Sequence, residues 1–413
     1  MSRTPPIPRV ALRVCAGGAR VVQTSAVWVP VLPLLKTFLF VALVLCPRAA
    51  PAQALERGVP LERVVCADDP TQTYALYLPT AYSPERQWGV IFAFHPAARG
   101  PLMVEKFRAA AEQYGYIVAA SNNSRNGPYA ASTDAAKAMT ADVGRRFSVD
   151  PRRVYLAGMS GGARVATGIA LANTFIAGVI ASSAGFPDSQ PRTTVPFAVF
   201  ATAGTEDFNY LEMRQLDRRL SSPHFLAVFR GGHTLPPDDV AFDAIEWMEL
   251  QAMRSGRRSR DEALAVRMLE KRRARTAAST DVAETVYLLR AVVEDFKGLA
   301  DVTADERRLE ALLRQSGVKK ALKSQRESDD AEARMLGDIF ALEAQLRDDA
   351  REAALMTLRE RLTRLSRRAA GEADTPDRSQ ARRVLRLVTA GAAERTSDRQ
   401  YLQLLEQFRL QGR

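Results

Sequence analysis

Histidine and cysteine are the scarce residues of this 413-residue chain, which has only three of each. The histidines are His95, His224 and His233, and no C-x-x-C pair occurs, so there is no ligand set for a zinc site. Neither a metal nor a cofactor is expected. If the N-terminal segment is removed as its pattern suggests, Cys15 and Cys46 go with it. Cys66 is then a single thiol and cannot form an internal disulfide. Proline and tryptophan are also unevenly distributed: from Asp261 onward there is no proline until Pro376 and no tryptophan at all. That stretch cannot be a proline-punctuated sheet domain and reads as helical.

The net charge of +11 is not spread evenly. Residues 1–54 carry six basic and no acidic groups. Residues 55–253 carry 18 basic and 20 acidic groups, and residues 254–413 carry 34 and 27. The middle is nearly neutral, as befits an enzyme domain, and the excess lies at the two ends. At the N-terminus, Arg3, Arg9, Arg13, Arg20 and Lys36 precede an apolar run from Thr37 to Leu45, followed by Ala52-Gln53-Ala54. This is the order of a signal peptide and its cleavage site, and the apolar run is short for a membrane span. Residues 1–54 are therefore expected to be a signal peptide and leader. The product is expected to be secreted or periplasmic, with retention by an uncleaved anchor as the alternative. In the C-terminal third acidic and basic residues are interspersed, which suits solvated helix faces with i,i+4 pairs. The few aromatics there (Tyr287, Phe296, Phe340, Tyr401, Phe408) suit a helical core. No nucleic-acid partner is expected; a cell-envelope or protein partner for these helices stays open.

Between residues 55 and 253 short apolar runs alternate with helical spacings. Strands are expected at 74–79, 88–94, 116–120, 154–157, 177–183, 197–202 and 225–229. Helices are expected at 103–114, from a Ser132 or Thr133 cap to about Phe147, and at 240–253. The alternation predicts an α/β fold: a doubly wound, mostly parallel sheet. Gln251 to Arg260 reads as a linker, and residues 254–413 as an all-α module. Within it Thr303-Ala304-Asp305-Glu306 has the form of a capping box. Leu342, Leu346, Leu355, Leu358, Leu362 and Leu365 fall on one helical stripe, and further helices are expected near 282–298, 380–390 and 397–410. Only about a dozen residues separate Ser183 from Pro196, too few for a lid, so an open, shallow site is expected.

The chain is organised around Leu156-Ala157-Gly158-Met159-Ser160-Gly161-Gly162-Ala163-Arg164, a G-x-S-x-G frame entered by an apolar run and left by an Ala-rich helix former. A strand turning sharply into a helix is the setting in which this frame presents a nucleophilic serine. Such a serine needs a base, and the base an orienting acid. His233, in Gly231-Gly232-His233-Thr234-Leu235-Pro236-Pro237, follows the last strand in a loop that presents a side chain. His224 opens that strand at the opposite end of the sheet from Ser160. Asp207, in Gly204-Thr205-Glu206-Asp207-Phe208-Asn209-Tyr210, is the expected acid, with Glu206 as alternative; either also suits a helix N-cap. The N–H of Gly161 is an expected oxyanion donor at the start of its helix.

With the order Ser160, Asp207, His233, residues 70–253 resemble the α/β-hydrolase superfamily, nearest to secreted bacterial esterases of the polyhydroxybutyrate depolymerase and feruloyl esterase type. The resemblance rests on the three glycine-bearing stretches quoted above. It implies serine esterase chemistry on an ester substrate, small or polymeric, through an acyl-enzyme. It covers about half of the chain. Relatives generally have His-Gly after the second strand and take a second oxyanion donor from the next residue. Here the loop is His95-Pro96-Ala97-Ala98-Arg99-Gly100, so that donor is Ala97, and Pro96 itself has no N–H. The same triad also serves peptidases and amidases. A catalytically weak hydrolase fold carrying a partner-binding helical module is the non-enzymatic alternative. His95 reads as structural. Arg99, Arg164 and the 122–129 loop are candidates for the rim, with an ion pair from its helix the favoured role for Arg164.

Overall fold

The computed structural model describes residues 55–371 and 375–409. The expected signal peptide and leader lie outside the described residues. The chain runs through β1 (Leu61–Val65), β2 (Thr73–Tyr77), β3 (Trp88–Phe94), α1 (Gly100–Tyr114), β4 (Tyr116–Ser121), α2 (Tyr129–Arg146) and β5 (Val149–Met159). It continues through α3 (Gly161–Ala172), β6 (Gly178–Ser182), β7 (Ala198–Gly204), α4 (Tyr210–Arg219), β8 (His224–Phe229) and α5 (Asp238–Arg254). The helical remainder is α6 (Glu262–Ala278), α7 (Val282–Phe296), α8 (Thr303–Arg314), α9 (Ser316–Gln345), α10 (Arg351–Ala369), α11 (Pro376–Thr389), α12 (Ala392–Arg395) and α13 (Arg399–Glu406).

The eight strands form one sheet in the order β1-β2-β4-β3-β5-β6-β7-β8. The β1–β2 and β2–β4 pairings at one edge are antiparallel, and the other five pairings are parallel. This is the α/β-hydrolase fold, with a C-terminal set of helices added to it. The continuous apolar runs are explained by helices on both faces. Val154, Leu156, Val179, Ala181, Val199 and Ala201 pack with α2, α3 and α4. Their sequence neighbours Tyr155, Ala157, Ile180 and Phe200 pack with α1 and α5. The period of two along each strand thus splits one sheet between two cores.

Several local expectations differ from what is observed. β1 lies where only a lead was expected; its pattern of one buried residue in five carries little apolar signal, and it is recruited by pairing with β2. α2 begins at Tyr129 after Pro128, and not at Ser132 or Thr133. Both hydroxyls bond backbone carbonyls instead, Ser132 Oγ that of Arg125 and Thr133 Oγ1 that of Tyr129. Thr303 is the first residue of α8 and caps nothing; Asp301 Oδ1 accepts the Thr303 N–H. The leucine stripe belongs to two helices, because α9 ends at Gln345 and the chain turns before α10; Leu346, Leu358, Leu362 and Leu365 still share one core. The linker is shorter than expected, since α5 reaches Arg254 and Asp261 already caps α6.

The helices after residue 254 do not share a single core. Leu264, Met268, Leu269, Val292 and Phe296 pack against Leu250 and Met253 of α5. Tyr287 donates its hydroxyl to Asp217 and accepts the N–H of Leu226, so α7 is sewn to the edge of the sheet. α9, α10, α11 and α13 form a separate core that includes Leu211 of α4 and has Phe208 packed against it.

Candidate active site

Ser160 stands at the C-terminal end of the central strand β5, between Met159 and the first residue of α3. Its φ of 52° and ψ of −122° are a strained combination for a residue with a Cβ. Three local features hold it there. The Ser160 N–H donates to the carbonyl of Ser182 on the neighbouring strand at 2.8 Å. A Cβ on Gly158 would come within 2.2 Å of the Gly162 carbonyl oxygen, and one on Gly162 within 2.2 Å of the Phe94 carbonyl oxygen. The frame needs glycine at these two positions because strand, turn and helix meet there without room for a methyl group.

His233, in the loop after β8, faces the serine. Its Nε2 lies 2.8 Å from Ser160 Oγ, and its Nδ1 lies 2.8 Å from Asp207 Oδ1. A carboxylate only accepts, so Nδ1 carries the hydrogen and Nε2 is the lone pair facing the serine hydroxyl. Asp207 is fully buried in the loop after β7, and Oδ1 also accepts the Asn209 N–H at 2.8 Å. Its Oδ2 is buried and has no hydrogen-bond partner among the described residues. Phe208 stacks on the His233 ring with centroids 3.9 Å apart. Asn209 reaches across to the Ser183 carbonyl, which ties the acid loop to the end of β6. The three residues thus come together from the ends of β5, β7 and β8, and Ser160 and His233 both remain partly open to solvent. A serine, an imidazole and a carboxylate in this chain can move a proton from the hydroxyl to Nε2 while the imidazolium is stabilised from Nδ1.

The remaining expected residues separate into several roles. Glu206 is engaged elsewhere: its carboxylate pairs with Arg382 and, at 3.2 Å, with Arg386 of α11. Gly161 is at the first turn of α3, with the Asn126 side chain against it; a Cβ there would meet Asn126 Oδ1 at 1.8 Å. Ala97 is exposed, and its N–H donates to His95 Nδ1 at 3.0 Å. Burial and the Arg99 guanidinium lower the His95 pKa, which keeps Nδ1 available as an acceptor. The Ala97 N–H is therefore committed within its own loop in this conformation, and His95 is the reason. That loop is covered by the 122–129 segment: Asn126 N–H donates to the Pro96 carbonyl, and Ala97 bridges Arg125. Arg164 is not on the rim. Its guanidinium bonds Glu212 at 2.8 and 3.0 Å and the Phe186 carbonyl at 2.7 Å, tying α3 to α4. His224 is at the far end of β8, 3.7 Å from Asp217.

Sequence reasoning missed Asn126 as an individual residue, Phe208 as a stacking partner, and the arginines of α11. Asn126 was legible only as part of a polar loop. No local signal connects Arg382, Arg383 and Arg386 to residues 205–206, since an arginine on a charged helix looks the same whether it faces solvent or a carbonyl.

No family model matches the chain, and no curated protein does. Among solved structures, the chain is similar to an esterase from the archaeon Pyrobaculum calidifontis at 11% identity. That match covers 48% of this chain and 85% of the other, with a TM-score of 0.36. It is similar to a thermophilic esterase from Thermogutta terrifontis at 16% identity, covering 48% and 92%, with a TM-score of 0.34. It is also similar to a putative dienelactone hydrolase from Klebsiella pneumoniae at 15% identity, covering 47% and 97%, with a TM-score of 0.35. Each match spans less than half of this chain, and the fold assignment stands on the chain's own features. Strand order, parallel register and a serine at the β5–α3 turn are those of an α/β-hydrolase fold.

Proposed function

We propose that this chain is a serine hydrolase that cleaves carboxylic esters, with Ser160 as nucleophile, His233 as general base and Asp207 as its orienting acid. The observation that carries the reading is the unbroken line of two 2.8 Å contacts from Ser160 Oγ through His233 to Asp207, with the serine on a strained turn. In the proposed reaction His233 Nε2 takes the hydroxyl proton as Oγ attacks the ester carbonyl. The carbonyl oxygen becomes an oxyanion. His233 then passes the proton to the departing alcohol, leaving an acyl-Ser160. Water repeats the sequence: His233 takes its proton, the acid is released, and Ser160 regains its hydrogen. No step calls for a cofactor.

For the oxyanion the reading relies first on the Gly161 N–H at the start of α3, where the helix dipole also favours negative charge. The Ala97 N–H joins it only by leaving His95. Loss of one such donor typically costs on the order of 100-fold or more in rate, so an enzyme with Ala97 held by His95 works slowly. On the motifs around Ser160, Asp207 and His233 the substrate class is that of polyhydroxybutyrate depolymerase and feruloyl esterase-type enzymes acting outside the cytoplasm.

The test is labelling of the full chain by a fluorophosphonate probe, beside Ser160→Ala. Labelling of the unaltered chain alone supports an activated Ser160, and p-nitrophenyl esters and the matching anilides then rank ester against amide. If neither chain labels while both are folded, the triad does not operate and the esterase reading is wrong.

A further inference from the structure

The acid loop makes two sets of backbone bonds, one on each side. The N–H groups of Thr205 and Glu206 donate to the carbonyls of Phe229 and Gly231, both at 2.8 Å, so this loop is laddered to the one that carries His233. Their carbonyls face the other way and are met by α11, which lies more than 170 residues further along the chain. Arg383 Nη1 donates to the Thr205 carbonyl at 2.7 Å, and Arg386 Nη1 to the Glu206 carbonyl at 3.0 Å. The same Nη1 of Arg386 stands 2.8 Å from where a Cβ on Gly232 would be, so one guanidinium bonds the residue before Asp207 and lies beside the residue before His233. Glu206 holds Arg382 and Arg386 through its carboxylate.

The arginines are themselves fixed. Arg383 is buried, bonds both carboxylate oxygens of Glu332 on α9, and lies over the Tyr210 ring at 4.1 Å. Phe208, stacked on His233, has its other contacts in the core of α9, α10, α11 and α13. Asp207 is held through Oδ1 by His233 and the Asn209 N–H, while Oδ2 has no hydrogen-bond partner among the described residues. Its position depends on the backbone on either side.

We propose that Arg386, with Arg383 beside it on α11, is a positioning residue that holds the Thr205–Asp207 loop in register with His233. The helical extension on this view is a brace for the Asp207–His233 pair. The inference rests on the esterase reading above. It also accounts for the acidic doublet: Asp207 serves the histidine, while Glu206 pairs with the two arginines beside it. A displacement of about 1 Å in such a pair costs roughly 100-fold in rate, and a fork that bonds a carbonyl and a carboxylate together is not replaced by a lysine.

The experiment compares the full chain with Arg386→Gln, Arg386→Lys and Arg361→Gln. The last removes an exposed pair with Asp338 between α10 and α9, away from the loop. Hydrolysis of p-nitrophenyl acetate gives kcat and KM. Proton NMR follows the far-downfield signal of the His233 Nδ1 hydrogen, assigned by its loss in Asp207→Asn. For Arg386→Gln we expect kcat to fall by about 10- to 100-fold with KM within about twofold. The Nδ1 signal should broaden or disappear while the fold survives. Arg386→Lys should recover only part of the loss, and Arg361→Gln should match the unaltered chain. An Arg386→Gln protein that is folded, keeps its signal and keeps kcat within about twofold overturns the inference and leaves the esterase reading intact. A drop of the same size in Arg361→Gln also overturns it, because the effect is then general loosening. A chain that never labels with fluorophosphonate removes both. Should Arg386→Gln fail to fold, Glu206→Gln removes the carboxylate charge that holds the other nitrogen of the Arg386 guanidinium, and is judged by the same kcat, KM and Nδ1 signal.

Discussion

The two halves of this molecule place their polar groups by different means. In the α/β half the strand register does it. Ser160, Asp207 and His233 each follow the last residues of a parallel strand, so backbone ladders bring them to one edge. In the helical half the work is done by buried or half-buried arginine–carboxylate bonds: Arg383 with Glu332, Arg395 with Glu343, Arg351 with Asp398, and Arg218 of α4 with Asp329 of α9. Tyr401 adds a third bond to Glu343. A sheet offers a repeating grid of backbone donors and acceptors, whereas helices satisfy theirs internally and can be locked together only by side chains.

The comparison can be tested by breaking each device, beginning with the largest expected effect. Ser160→Ala and Asp207→Asn should each lower kcat on a p-nitrophenyl ester by about 10⁴-fold or more, read with thermal midpoints within a few degrees of the unaltered chain. Loss of less than about tenfold in either would mean the register of the strands does not define a triad. In the helical half, Glu332→Ala leaves the Arg383 guanidinium buried and unpaired, and denaturant unfolding should show a loss of about 4 kcal/mol. Glu332→Leu with Arg383→Met should restore most of it; failure of the pair to do so would argue that the ion pair is more than a substitute for packing.

Gly162→Ala tests the α/β half through its backbone. The new methyl group would meet the Phe94 carbonyl oxygen, and a loss of about 3 kcal/mol is expected. A change below about 0.5 kcal/mol would show that the elbow has room to shift. Like Glu249 of α5, which is bonded by Arg153, Asp142 of α2 is an exception that sharpens the contrast, a buried carboxylate within the α/β half. It accepts from Arg146, the Ala67 N–H and Tyr74. Burial works against its ionisation, but these bonds outweigh it and lower its pKa. A carboxyl depressed in the folded state adds stability above its ordinary value near 3.9, and that contribution is lost as pH falls through the folded value. Asp142→Asn should therefore reduce stability at neutral pH and flatten its decline below about pH 4, a difference urea unfolding across pH resolves. The smallest effect belongs to exposed pairs: Arg314→Ala, which frees Glu310, should leave the unfolding midpoint unchanged within error.

The same difference explains what could be read in advance. Parallel strands buried on both faces leave continuous apolar runs, so β3 through β8, the Ser160 turn and the loops of Asp207 and His233 were legible, and with them the fold. The edge strand β1 was not, because a half-exposed strand of five residues has no run to show. The helices were legible from their spacing, but not their docking. Tyr287 of α7 reaches β8 and Glu332 of α9 anchors Arg383, and in both cases the partner lies more than 50 residues away along the chain.

By itself the sequence determined the doubly wound sheet, the helical nature of the chain after residue 254 and which serine, acidic doublet and histidine stand at strand ends, because these follow from local periodicity and chain order. Only the tertiary structure decided that Glu206 serves α11 and Asp207 serves His233, that His95 holds the Ala97 N–H, and that a helix from the far end of the chain bonds the carbonyls beside the acid. The contacts of α11 depend on which guanidinium reaches which oxygen across more than 170 residues, a matter of packing that no local pattern encodes.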